Sequence, residues 1–209
     1  MDRPPPPPET PSPKRQQIER AAEALFLAQG YGAVSMDQIA RTAGVSKATL
    51  YAHFESKERL FASIVAERKR ESAVEEALFP DEVSDLPAVL QAIGQRLLRF
   101  LLQPPTLAIY RVAIAESGRF PELGRALYEG GPQRFCQRFA AWLDMLATRG
   151  MVATADPLVA AHQFTALLRA DVFLRASLAV PPLPDDAEID TTVAAAVETW
   201  LRAFAPPAR

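Results

Sequence analysis

The 209 residues suffice for one large domain, or for a small domain joined to a larger one. Apolar side chains make up 49% and supply a substantial core, while a formal net charge of −2 argues against a protein that coats nucleic acid indiscriminately. A single cysteine, Cys136, excludes an intrachain disulfide and a cysteine-based zinc cluster.

The prolines and glycines punctuate the chain. Residues 1–13 hold seven prolines, a composition that reads as an extended tail with no core of its own. It does not look like a secretory signal, which would be basic and then apolar. From Lys14 to Gln29, Ile18, Ala22, Leu25 and Phe26 recur at helical spacing and mark one apolar stripe. Gly30 and Gly32 end that helix. Ser35-Met36-Asp37-Gln38 has the form of a capping box and opens a short helix to Ala43, stopped by Gly44. Ser46 caps a third helix, Lys47 to Phe54, and Ser56 a fourth, from Lys57 to about Leu78, with Leu60, Phe61, Ile64 and Val65 facing inward. Prolines then mark the joints of further helices near 86–103, 105–117, 121–129, 132–149, 157–178 and 186–204. No stretch alternates as a strand would, so the expected fold is all-α: a unit of short helices at 14–56 and a larger helical unit at 57–209. Uncharged runs such as 100–110 fall short of the roughly 20 residues a bilayer requires, and a soluble, cytoplasmic protein is expected.

Charge is not spread evenly. Residues 1–70 carry 11 Lys/Arg against 8 Asp/Glu, whereas residues 71–209 carry 12 against 17. A positive front half on an acidic body suits a protein that offers one end to phosphates. Two short helices either side of Gly44-Val45-Ser46 are what a helix-turn-helix requires, with small Ala40 at the crossing and Val45 and Leu50 plugging the gap. An ordinary helical hairpin shares this spacing. The third helix separates the two readings. Leu50 and Phe54 face inward, so at about 100° per residue Ala48 and Ala52 point outward, flanked by Thr49 and Tyr51. That face has no carboxylate, is small at its centre, and carries hydroxyls that can meet phosphates or base edges. Lys47 and Lys57 bracket it with positive charge.

The run from Val34-Ser35-Met36-Asp37-Gln38-Ile39-Ala40 through Gly44-Val45-Ser46-Lys47-Ala48-Thr49-Leu50-Tyr51-Ala52-His53-Phe54 to Ser56-Lys57-Glu58 resembles the TetR family of repressors. The resemblance covers about Lys14 to Leu60. It implies a nine- or ten-helix homodimer on a palindromic operator, with an N-terminal DNA-binding domain and a C-terminal domain that takes a small-molecule effector. It also implies DNA contacts at Lys47, Ala48, Thr49, Tyr51 and His53, and phosphate contacts at Lys57 and Ser35. Packing beneath the helix is the alternative role for His53. The segments Arg111 to Leu123, Ala160 to Phe164 and Ala195 to Leu201 are similar to the AefR-like subgroup of that family.

In the C-terminal half, Phe100, Tyr110, Phe139, Trp142, Met145 and Phe173 are the bulky apolar candidates for a ligand pocket, with plain core the competing role. The resemblance places dimerisation on the last two helices, where Phe164, Leu167, Leu168, Val193, Val197 and Leu201 offer apolar stripes, with the core of the single chain the competing destination for some of them. His162 there can serve an interface, a core or a ligand. Glu116 and Arg119 are spaced to pair. Cys136 reads as a small core residue, with redox sensing the alternative. Two histidines and one cysteine give no metal spacing, nucleophile elbow or phosphate loop, so no enzyme and no cofactor is expected. The remaining alternative is an adaptor with a degenerate helix-turn-helix.

Overall fold

A computed structural model describes residues 12–71 and 78–206, with the side chains of 69–71 left aside. The proline-rich tail predicted for 1–13 therefore lies almost wholly outside the described residues. Ten α-helices and no strand occur among them: α1 (Pro13–Gln29), α2 (Met36–Thr42), α3 (Lys47–His53), α4 (Lys57–Glu71), α5 (Leu86–Leu102), α6 (Pro104–Glu116), α7 (Pro121–Tyr128), α8 (Arg134–Thr148), α9 (Pro157–Ser177) and α10 (Asp186–Phe204). The side chains of Ser12, Ser35, Ser46, Asp85, Asp156 and Asp185 accept from backbone N–H groups in the first turns of α1, α2, α3, α5, α9 and α10, satisfying donors the helices themselves leave unpaired.

The fourth helix was predicted to reach about Leu78; α4 is described to Glu71, the stretch 72–77 lies outside the described residues, and Leu78 is buried in the core of the C-terminal half. Two other expectations need revision. Pro132 was expected to begin a helix, but α8 starts at Arg134 and a π turn at Glu129–Gln133 joins it to α7. Pro132 has no N–H to donate, and the wider turn tolerates the missing bond. Within α9, Ala170 adopts φ 24° and ψ −138°, splitting the helix without a proline or glycine at that position. No sequence signal marks this kink.

The apolar stripes assemble two main cores. The first joins Ile18, Phe26, Tyr31, Ile39, Leu50 and Phe54 to Leu60, Phe61 and Ile64 of α4, and reaches Ile109, Ala113 and Leu123 of α6 and α7. It therefore continues past residue 56. Beneath it a polar seam ties α1 to α4. Arg15 donates to Glu19 at 3.2 Å and to Ser63 at 2.7 Å, and Ser63 in turn donates to Glu19. One turn on, Glu23 takes a bidentate grip from Arg68, its longer bond 2.9 Å. Glu19 and Glu23 are buried, and this use of two carboxylates on the inward face of α1 was not foreseen.

The second core is built by α5, α8, α9 and α10. Phe164, Leu168, Val193 and Val197, expected to face a second subunit, are buried here inside the single chain, and Leu167 and Leu201 pack against its edge. Periodicity identified their stripe as apolar but could not say which neighbour covers it. Gly94 of α5 permits the closest approach: a Cβ there would stand 2.7 Å from Val193 Cγ1 and 3.0 Å from Leu168 Cδ2. Trp142 and Trp200 are anchored by N–H bonds of 2.8 and 2.9 Å to the carbonyls of Pro80 and Ala160.

Candidate DNA-reading surface and effector cavity

The turn between α2 and α3 closes as its sequence requires. Gly44 has φ +62°, its N–H reaches the Arg41 carbonyl at 3.1 Å, and the Val45 N–H reaches Ala40 at 3.0 Å. This paired closure needs a left-handed residue, which glycine adopts without steric cost. Gln17 of α1 donates to the Ala43 carbonyl at 2.7 Å and fixes the turn against α1. Ser35 accepts from the Gln38 N–H at 3.2 Å, but the Gln38 side chain turns to Gln29 at 2.9 Å, so the predicted capping box is half formed.

Leu50 and Phe54 are buried beneath α3, while Lys47, Ala48, Tyr51 and Ala52 are exposed and Thr49 and His53 half-buried. Tyr51 holds 49% of its surface open, a large aromatic that the fold does not use. Thr49 spends part of its hydroxyl on Ser46, 2.8 Å away. His53 lies beside the Phe54 ring, with centroids 6.5 Å apart. Lys47 reaches across to Asp37 on α2. Asp37 is thus a carboxylate at the rim of the outward face that the helix-wheel reading of α3 alone overlooked. Both partners are substantially exposed, so the pair contributes little and can open.

Lys57, for which the resemblance implies a phosphate contact, is engaged within the chain when no DNA is present. Its ammonium turns inward and donates to the carbonyls of Tyr31 and Val34, each at 2.9 Å, while lying 4.2 Å from the centre of the Tyr31 ring. Burial holds it below the ordinary lysine value. Lys57 therefore closes the segment leading from α1 to α2. The Tyr31 ring is enclosed by Phe26, Phe61 and Phe120, the last reaching in from the joint of α6 and α7. Glu116 and Arg119 form no ion pair among the described residues; Arg119 lies over the Phe120 ring instead.

A cavity of about 150 Å³ opens between α4, α5, α6, α8 and α9. Of the six predicted pocket residues, Phe100, Tyr110 and Phe173 line it. Phe139, Trp142 and Met145 do not: Phe139 and Trp142 are buried in the second core, where they stack on each other, and Met145 packs against it. Their stripe on α8 faces α9, α10 and the segment after α4. Cys136 lines the cavity too, its thiol 3.8 Å from the Thr165 hydroxyl and raised in pKa by burial. The polar lining was not anticipated. Arg169 donates to the Tyr110 hydroxyl at 3.3 Å, and the Thr106 hydroxyl is buried there with no partner. On the opposite wall stand Val65 and Arg68 of α4. His162 is exposed on the outer face of α9, away from both core and cavity, while Arg111 caps the end of α9 through the carbonyls of Ala176 and Ser177 at 2.6 and 2.7 Å.

A capped helix-turn-helix with a carboxylate-poor outer face, carried on a helical body with an apolar cavity, defines an all-α DNA-binding regulator. Comparison with known proteins is more specific. Residues 18–64 match the bacterial regulatory proteins of the tetR family, and residues 88–206 match the C-terminal domain of AefR-like transcriptional repressors. The chain belongs to the TetR family of transcriptional regulators. Among solved structures it is similar to the flavonoid-responsive regulator FrrA, at 36% identity and TM-score 0.79, over 93% of this chain and 98% of that one. It is likewise similar to a TetR-family regulator from Pseudomonas syringae pv. tomato str. DC3000, at 30% identity and TM-score 0.73, over 95% and 100%. Among curated proteins it is 46% identical to the transcriptional activator FasR of Mycolicibacterium smegmatis over 52 residues, 25% of this chain. That match spans 24% of the length of FasR. No helix among the described residues is long and apolar enough to cross a membrane.

Proposed function

We propose that the chain is a homodimeric repressor that holds a palindromic operator through α3 and releases it when a small-molecule effector fills the cavity. Ala48, Thr49, Tyr51 and Lys47 present the reading surface, with Ser35 and His53 at its edges. Lys57 acts by positioning that surface. One recognition helix covers too little DNA for specificity, so two must lie about 34–36 Å apart to enter successive major grooves. The outer face of α9, with Leu158, Val159 and Leu174 exposed, is the surface we assign to the second subunit.

The observation that carries the ligand response is the reach of α4. At one end Lys57 grips the segment between α1 and α2; at the other, Val65 and Arg68 form a wall of the cavity. A ligand pressing on that wall moves the helix on which the reading surface rests. If it fits better when the two recognition helices are wrongly spaced, operator affinity falls by linkage. A small-molecule response is carried in the name of the relative FrrA. Repression follows the description of the matched C-terminal domain.

A gel-shift titration of the fragment upstream of the chain's own gene tests the reading. The wild type should shift it at low salt, and Tyr51→Ala should weaken binding at least tenfold without altering the circular dichroism. Equal binding by Tyr51→Ala would remove α3 from the interface.

A further inference from the structure

The cavity carries an uncompensated charge. Its lining includes two guanidinium groups, Arg68 and Arg169, and no carboxylate. Arg68 is neutralised by Glu23. Arg169 forms no ion pair among the described residues; it lies 4.1 Å from the centre of the Phe173 ring and donates to the Tyr110 hydroxyl. Thr106 and Tyr110 stand four residues apart on α6 and so share a face of that helix. Arg169 meets that face from α9, immediately before the kink at Ala170. The Thr106 hydroxyl, buried and unpartnered, is a hydrogen-bonding group with nothing to bond. The remaining lining is apolar, including Leu97, Phe100, Leu101 and Phe135.

Filling such a space with a neutral molecule removes water from Arg169 and leaves its charge without a partner, which is costly. An oxyanion takes charge-assisted hydrogen bonds from the guanidinium and a further one from a hydroxyl. We infer that the cavity selects a compact lipophilic monoanion, a carboxylate or phenolate, with its charged oxygen against Arg169 and Thr106 and its apolar body between Tyr110, Phe173 and Phe100. A cavity of this volume accepts roughly one benzene-sized ring. The body is therefore a single substituted ring or a short branched chain. This rests on the cavity being the effector site proposed above.

The test compares two probes of the same shape by calorimetry on the full chain at neutral pH, in the absence of DNA: 4-ethylbenzoate and the neutral 4-ethylbenzamide. The wild type should bind the acid at least tenfold more tightly than the amide. Arg169→Gln should reduce that ratio to about one while retaining the amide, which shows the cavity intact. Thr106→Val, which keeps the side-chain shape, supplies a second arm and should weaken the acid at least threefold with the amide unchanged. Equal affinities in the wild type, no binding of either probe at millimolar concentration, or an acid preference that survives both substitutions would overturn the inference. Because no DNA is present, a chain that prefers the acid yet ignores every operator would sink the regulatory reading and leave this one standing.

Discussion

Replacing Lys57 by methionine keeps the aliphatic stem and deletes the ammonium that closes the α1–α2 segment. Two hydrogen bonds of 2.9 Å to the Tyr31 and Val34 carbonyls are lost, with a cation–π contact of 4.2 Å. Hydrogen bonds from a charged donor contribute about 1.5–3 kcal/mol each, and the ring contact about 0.5–1 kcal/mol. Lys57 is only half-buried, so water can replace part of what is lost, and a net destabilisation of about 2 kcal/mol follows. For a chain of this size that lowers Tm by about 4–8 °C. Operator affinity should fall too, because the support of α2 is loosened. The slope of log affinity against log salt should stay unchanged, since the ammonium is engaged with carbonyls rather than phosphate. Thermal melts and anisotropy titrations at several salt concentrations read both quantities. An unchanged Tm, with a slope shallower by about 2 for the pair of subunits, would refute the reasoning and make Lys57 a phosphate contact.

Phe164→Ala should cost about 3–5 kcal/mol by urea titration, because the ring is buried against Phe139 and Trp200 within one chain. A variant of normal stability that dissociates into monomers would return Phe164 to an interface. Glu58 has its carboxyl held below the usual value, chiefly by its hydrogen bond with Ser56. Its stabilising part is complete above the ordinary glutamate pKa and disappears as pH falls through the lower folded-state value. Glu58→Gln should therefore melt below the wild type at pH 7, and the gap should close on acidification; a gap independent of pH would contradict this. Cys136 is buried with its thiol pKa raised, so iodoacetamide at neutral pH should label it far more slowly than it labels the unfolded chain. Rapid labelling of the folded protein would revive the redox-sensing alternative.

The N-terminal region was legible because its information is local. Serine caps, glycine at the turn and an inward Leu50–Phe54 pair each act within a few residues, so one sequence fixes both helices and the face between them. Lys57 marks the limit of that locality. The resemblance implies a phosphate contact there, and in the DNA-free chain its ammonium meets carbonyls 23 and 26 residues away in sequence. In the C-terminal half the stripes were visible and their destinations were not. Phe164 and Phe173 lie nine residues apart on α9 with similar surroundings in sequence, yet one enters the core and the other the cavity, with the unheralded kink at Ala170 between them. The charge in that cavity was hidden for a related reason. Arg169 reads as a solvent-facing residue until α6 brings Tyr110 and Thr106 to it.

The central claim is a pair of α3 helices in successive major grooves. Hydroxyl-radical footprinting of the upstream fragment, with stoichiometry read from anisotropy at saturating concentration, tests it most directly. The account predicts two protected half-sites centred about 10–10.5 base pairs apart, or a whole multiple of that, with two-fold symmetry and at least two protomers bound. A single protected half-site with one protomer, or uniform protection along the fragment, would contradict it.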